Sequence, residues 1–335
     1  MLSRLLRSVI DPLGASARQL ESLSLGCPFP EGAQGLNLAR TALIGANRPE
    51  MSGRTLSSFG ASGLDAVLDA VGLLAAGAPG AVAAGIQLTS RVPYGGSAFS
   101  AALSYDLLQR DAFWPKHLAA HSFAESCGLA TSALDEAASA RLPGLFSPLA
   151  GFALSADAGA APLVRTGAPI LATTPPLYSE TGGPVLFRDA HAAISCDGAA
   201  ALVFGRDGAL PSRPLAYVRA VASAGAGPTR APEALVTALG ALLQRAGVSA
   251  GAVDLWLLDE SFVAVPVGVA KRLGVPAGRV NPRGGALACG YCPGAEGLRL
   301  VGEAALALAA GGGRLAAVGA WSEGGTASAL LLEPS

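Results

Sequence analysis

A stretch of 26 residues occurs twice in this chain, and the distance between its copies limits the folds available. Residues 60–85 read GASGLDAVLDAVGLLAAGAPGAVAAG, and residues 294–319 read GAEGLRLVGEAALALAAGGGRLAAVG. The offset is 234 residues (294 − 60) with no gap, and 12 of the 26 positions are identical. Alanine inflates such a score, but the pairs Gly60/Gly294, Gly63/Gly297, Leu64/Leu298, Gly77/Gly311 and Gly85/Gly319 are not alanines. In each copy small residues open a helix, Leu, Val and Ala carry it, Gly ends it, and a buried strand follows. So long an offset is not a solenoid period. It predicts two copies of one α/β half.

The 335 residues suffice for a large two-part core. Charged residues make up only 14%, well below the usual quarter, which predicts a large buried fraction or a surface covered by a partner subunit. A net charge of −1 leaves no basic field for nucleic acid and no cationic stripe for a membrane. The apolar stretches 66–85 and 304–319 are interrupted by Asp69, Pro79 and Arg314, so they read as buried helix and strand, not spans. Arg4 and Arg7 precede no apolar signal core, and residues 1–13 read as an amphipathic helix in preference to a transit peptide. Five cysteines without a secretion signal predict free thiols in a reducing cytoplasm.

Along the chain, strands are expected at 19–25, 54–59, 80–89, 216–222, 253–258, 315–320 and 327–332. Helices are expected at 36–45, 232–246, 262–273 and in both repeat copies, with two more at 116–127 and 131–140. Helices alternating with buried strands predict mostly parallel sheets covered on both faces. The expected halves are 1–212 and 213–335. The first carries an insertion over about 90–183, where the regular pattern breaks and where Trp114, His117 and His121 lie.

These motifs together resemble the thiolase superfamily. Gly60-Ala61-Ser62-Gly63-Leu64 stands where the family has Cys-Gly-Ser-Gly-Leu. Residues 84–90, followed by Pro93, match the glycine-rich strand and its Glu-Ser-Met-Ser tail. Asp197-Gly198-Ala199-Ala200-Ala201 matches Asp-Gly-Ala-Ala-Ala, and Asp259-Glu260-Ser261-Phe262 matches Asn-Glu-Ala-Phe. Most specific is the run from Asn281 to Ala295, NPRGGALACGYCPGA, which is similar to Asn-x-x-Gly-Gly-x-x-x-x-Gly-His-Pro-x-Gly-Ala. The resemblance covers nearly the whole chain. It implies a thiolase-like α/β fold of two duplicated halves in α-β-α-β-α layers, acyl-CoA as ligand, and no cofactor beyond the coenzyme A of the substrate. It further implies a homodimer, or a hetero-oligomer with a thiolase paralogue or an OB-fold partner. The family's opening strand has no counterpart, because the chain starts in its first helix: either the gene start is misplaced or the first sheet is one strand short.

The departures bear on function. The family's nucleophile is a cysteine at a helix N-terminus, where the dipole and backbone N–H groups lower its pKa. Gly60 occupies that position, and glycine forms no thioester. Tyr291 replaces the activating histidine, Trp321 the second cysteine, and Asp259 the oxyanion-binding asparagine, where an ionised carboxylate would repel an enolate. The expectation is a degenerate acyl-CoA-binding relative of acetyl-CoA acetyltransferases, non-catalytic or dependent on a partner. One alternative follows from the sterol carrier and lipid-transfer branch, some of whose members resemble retro-aldolases: cleavage of a β-hydroxyacyl-CoA with Tyr291 as general acid or base, provided its pKa is lowered. Tyr291 and Asp259 are the candidate catalytic residues, and Ser62, His191, Glu260, Cys292 and Trp321 the candidate substrate contacts.

Three constellations have competing readings. Cys289 and Cys292 form a C-x-x-C before a helix, a second alternative as a thiol redox pair; against it, Cys289 is a small core residue and Cys292 fills the family's proline position. His117 and His121 share a helical face without an evident third ligand, so no metal is expected. Glu260 follows a buried strand, where bonding of turn amides competes with a role towards substrate.

Overall fold

A computed structural model describes residues 1–92, 109, 114–141, 187–211 and 213–335. Pro93, most of the expected insertion and the expected boundary residue 212 lie outside the described residues. The N-terminal half opens with α1 (Leu2–Ile10), followed by β1 (Leu20–Gly26), α2 (Leu38–Gly45) and β2 (Ser52–Leu56). The first repeat copy forms α3 (Ser62–Ala75) and β3 (Gly80–Gln87). Two helices follow, α4 (Lys116–Ser126) and α5 (Thr131–Arg141), then β4 (Gly198–Gly205). The C-terminal half comprises β5 (Ala216–Gly225), α6 (Ala231–Ala246), β6 (Leu255–Leu258) and α7 (Ala264–Leu273). The short α8 (Ala286–Cys289) leads into the second copy, α9 (Pro293–Ala309) and β7 (Ala316–Trp321), and β8 (Thr326–Pro334) closes the chain.

The strands form two four-stranded sheets, β2-β1-β3-β4 and β5-β8-β7-β6. Helices α3 and α9 lie between them. Leu64, Val67 and Ala70 of α3 share a buried cluster with Leu298, Val301 and Ala304 of α9 and with one face of β3, β7 and β8. Alternation along the strands covers the other faces. In β3, Ala81 and Ala83 face the central helices, while Val82, Ala84 and Ile86 face α1 and α2. In β7, Ala316, Val318 and Ala320 face the centre, while Ala317 and Trp321 join the outer cluster with α6 and α7. This gives the five layers expected of the fold. α1 inserts Leu2, Leu6 and Ile10 into its outer cluster. No helix among the described residues is long and apolar enough to cross a membrane.

Three expectations need correction. The sheets are mixed: β1–β2, β1–β3 and β6–β7 pair parallel, whereas β3–β4, β5–β8 and β7–β8 pair antiparallel. An apolar run buried on both faces carries no mark of strand direction. Here the short Ser322–Gly325 turn, closed by Gly325 N donating to Ser322 O, forces β8 back along β7. Second, the strand expected over 54–59 ends at Leu56, because Phe59 takes φ +49° to turn the chain into α3. Third, the repeat is not gapless in three dimensions. At an offset of 234, the centre-facing Ala81 and Ala83 correspond to Leu315 and Ala317, which face outward. The offset holds through the helix and slips by one residue after Gly77 and Gly311; with a side-chain period of two, that slip exchanges the faces.

The helix crossing is built from glycine. A Cβ on Gly63 would lie 2.5 Å from the carbonyl oxygen of Gly294. One on Gly297 would collide with the backbone of Leu64, and one on Gly85 with Gly294 O. Gly72, elsewhere on α3, faces open space. Gly297→Ala is therefore expected to lower unfolding free energy by about 3 kcal/mol or more, because only backbone can yield. Gly72→Ala is expected to raise it by roughly 0.5–1 kcal/mol. Urea denaturation of the two variants measures both.

Candidate functional site

Gly60 lies in a tight turn, Phe59–Ala61, at the N-terminus of α3. A non-glycine residue at positive φ costs energy; Phe59 is held there by an edge-to-face contact with Phe29, centroids 5.7 Å apart, and by Ser62 Oγ donating to Phe59 O at 2.7 Å. Ser62 Oγ also accepts from the Ser58 amide at 2.9 Å. This candidate substrate contact is committed to the turn and buried. The Gly60 amide donates to Glu323 Oε2 at 3.3 Å. A carboxylate thus occupies the anion-favouring end of the helix.

The space that a side chain on residue 60 would need is already taken. A Cβ there would meet Lys116 Nζ at 2.6 Å, Trp321 O at 2.7 Å and Tyr291 Oη at 2.9 Å. α4 delivers Lys116: Ala119, Ala120, Phe123 and Ala124 pack into the outer cluster of the C-terminal half, which carries the start of the helix to this point. Lys116 Nζ donates to Tyr291 Oη at 2.6 Å, and Tyr291 Oη donates to Asp259 Oδ2 at 3.2 Å. Lys116 Nζ is also 3.6 Å from Asp259 Oδ2. Asp259 Oδ1 accepts from the amide and hydroxyl of Ser261 at 2.9 and 2.7 Å. The ring centroids of Tyr291 and Trp321 lie 4.6 and 4.5 Å from the amine. All four side chains are buried, Lys116 at 7% exposure.

The electrostatics follow from this burial. Desolvation pushes Lys116 below the usual lysine range, with Asp259 acting in the opposite direction. Tyr291 is pushed well above its usual value by burial and then by Asp259. The condition for a phenolate base is therefore not met: at neutral pH Tyr291 is a phenol that donates. Asp259, expected to repel an enolate, instead faces a cation and three donors.

The other sequence candidates sit in different surroundings. His191 is fully buried, with Nε2 2.8 Å from Asp135 Oδ1 and Nδ1 accepting from the Arg188 amide at 3.1 Å, a setting that fastens α5. Burial lowers its pKa, with Asp135 opposing. Glu260 pairs with Arg141 and accepts from the Leu287 amide at 3.4 Å, so it braces α5 against α8. Cys292 Sγ contacts the carbonyl oxygen of Gly198 at 3.2 Å. All five cysteines are free, and burial raises Cys289 to about 11 and Cys292 further. His121 sits 3.6 Å from Glu125, and no metal-binding group of three ligands exists among the described residues.

Lys116 and Glu323 escaped the sequence reading. Lysine scarcity was the available signal for the first. The chain has 23 basic residues, of which only Lys116 and Lys271 are lysine, and one of these two is buried. Glu323 carried no signal, because it meets Gly60 across 263 residues of sequence.

Residues 212–334 match the family described as Thiolase, C-terminal domain. An acetyl-CoA acetyltransferase of Pseudomonas aeruginosa is 29% identical over 330 residues, 88% of this chain and 83% of that protein. The solved human mitochondrial 3-ketoacyl-CoA thiolase in complex with CoA superposes with a TM-score of 0.83 over 99% of this chain and 91% of that one, at 19% identity. The C-terminal part of the chain matches the thiolase family, and the chain has the thiolase-like fold. A mitochondrial acetyl-CoA acetyltransferase of Xenopus tropicalis is 37% identical over 147 residues, 43% of this chain, and the match spans only 34% of that relative's length.

Glu323 supplies a prediction in pH. Burial raises its carboxyl from 4.5 to about 7, and the Gly60 amide pulls the other way. The folded protein then holds a proton that the unfolded chain releases, so this group's contribution to stability is complete below pH 4.5 and is lost as pH rises to about 7. Glu323→Gln is expected to remove that decline and to raise unfolding free energy at pH 8 by up to about 3 kcal/mol. Urea unfolding at pH 5 and pH 8 measures the difference.

Proposed function

We propose that this chain is a thiolase-like acyl-CoA-binding protein that performs neither thiolysis nor Claisen condensation and acts as a non-catalytic or partner-dependent subunit. The observation that carries the reading is the occupied space at Gly60. Residue 60 has no nucleophile, and Lys116, Tyr291 and the Trp321 carbonyl fill the volume a cysteine side chain would need. Tyr291 as a phenol cannot take a thiol proton, and the buried Trp321 indole is bulkier than the cysteine that the family resemblance implies at its position. Acyl-CoA as ligand is supported by the acetyltransferase relatives and by the CoA complex of the human thiolase. A homodimer, or a complex with a thiolase paralogue or an OB-fold protein, fits the low charge of the chain. Light scattering of the purified chain, alone and with such a partner, tests the assembly.

The retro-aldol reading has one observation in its favour, the neutral phenol of Tyr291 held between an amine and a carboxylate. The redox reading lacks a ready thiolate, given the raised Cys289 and Cys292.

The expected result is that the unaltered protein binds CoA by calorimetry and leaves acetoacetyl-CoA and CoA unreacted. Measurable thiolysis refutes the degenerate reading, and absence of CoA binding refutes the acyl-CoA reading. Gly60→Cys alone is expected to cost about 1–3 kcal/mol through overpacking. The triple change Gly60→Cys, Tyr291→His, Trp321→Cys opens space for the new thiol and is expected to show less of that cost in thermal unfolding.

A further inference from the structure

A buried amine placed where a nucleophile is missing is itself a nucleophile. Lys116 Nζ lies 2.6 Å from the first side-chain atom that residue 60 would have, so it stands at the position from which the family's thiol acts. Its surroundings suit amine chemistry. The N-terminal end of α3 disfavours a cation beside Gly60, and desolvation favours the neutral amine, with the carboxylates of Asp259 and Glu296 opposing it. Tyr291, a neutral phenol 2.6 Å from the amine, is a proton donor in contact with it, and Asp259 holds the phenol from the far side. Trp321 Nε1, on the ring whose centroid is 4.5 Å from the amine, is buried and has no acceptor among the described residues. Such a donor is costly unless something accepts from it, and a carbonyl oxygen is an acceptor of the right kind.

We propose that Lys116 is a nucleophile that forms an imine with the keto group of a 3-oxoacyl thioester or related ketone. The substrate class rests on the acyl-CoA reading above; the amine chemistry does not. The Nζ lone pair attacks the keto carbon and a C–N bond forms. The carbonyl oxygen takes a proton from Tyr291, which recovers one from the nitrogen. The carbinolamine then loses its hydroxyl as water and the C=N bond closes. In sum, one ketone and one amine give one imine and one water, with no oxidant or reductant consumed. The imine is an electron sink for cleavage or proton removal at the neighbouring carbon, chemistry that needs no thiol.

The test is reductive trapping. The full chain is incubated with acetoacetyl-CoA and, separately, with acetylacetone, each with sodium cyanoborohydride as the hydride source, and then mapped by peptide mass spectrometry. Lys271, exposed on α7, is the internal reference, since it is the only other lysine. Expected is a reduced adduct on Lys116 with at least one probe, formed faster than on Lys271 and retaining about half of its maximal rate at a pH below the ordinary lysine range. Tyr291→Phe, which keeps the amine, is expected to slow adduct formation about tenfold or more. Lys116→Arg is expected to abolish it, and mapping of the unaltered protein decides the matter should that variant fail to fold. Adduct on Lys116 from acetylacetone but not from acetoacetyl-CoA supports the imine and counts against the acyl-CoA reading. Calorimetric binding of CoA with no Lys116 adduct from either probe overturns the imine and leaves the acyl-CoA reading standing.

Discussion

The architecture depends on two helices approaching until their backbones touch. α3 and α9 cross through Gly63, Gly294 and Gly297, and Gly85 of the adjoining strand leaves room for the same carbonyl. Each of these glycines is a place where the smallest side chain would meet main chain. Because the central helices cross so closely, one layer can serve two sheets, and each sheet buries alternate residues inward and outward. The alanine-rich composition follows: strands packed between helices at this distance have little room for larger side chains. The crossing also brings the N-termini of α3 and α9 together, with Gly63 against Gly294.

What occupies the region is governed by burial of charge. An ammonium and a carboxylate withdrawn from water are each expensive, and their attraction offsets the cost only when further hydrogen bonds satisfy them. Asp259 meets that condition through Ser261 and Tyr291. Lys116 meets it through Tyr291, Asp259 and two aromatic faces. Three residues that depart from the pattern the resemblance implies thereby become one unit. Glycine at 60 makes room for the amine, tyrosine at 291 is a partner for it, and aspartate at 259 compensates its charge. A second carboxylate, Glu323, takes the helix amide that the amine cannot use.

Much of this was legible in the sequence. The ordered motifs implied the fold through their resemblance to the thiolase superfamily and singled out Gly60, Tyr291, Asp259 and Trp321, which the structure brings together. Local pattern also placed α4, whose first residue proved decisive. Strand direction was not legible, because a strand buried on both faces looks the same whichever way its neighbour runs. Nor was the one-residue slip between the repeat copies, since alanine on either face gives identical letters.

The sequence by itself determined that residue 60 carries no thiol, because residue identity suffices to say that glycine has none. Its motifs also implied the fold through their resemblance to the thiolase superfamily, because the order of motifs is a property of the letters alone. Only the tertiary structure decided what replaced the missing group. Lys116, Gly60, Asp259, Tyr291, Trp321 and Glu323 are scattered along the chain, and no local pattern tells an exposed lysine from one carried into the core. Packing of α4 against the second half brings the amine there, and burial then sets the proton affinities of Lys116, Tyr291 and Glu323.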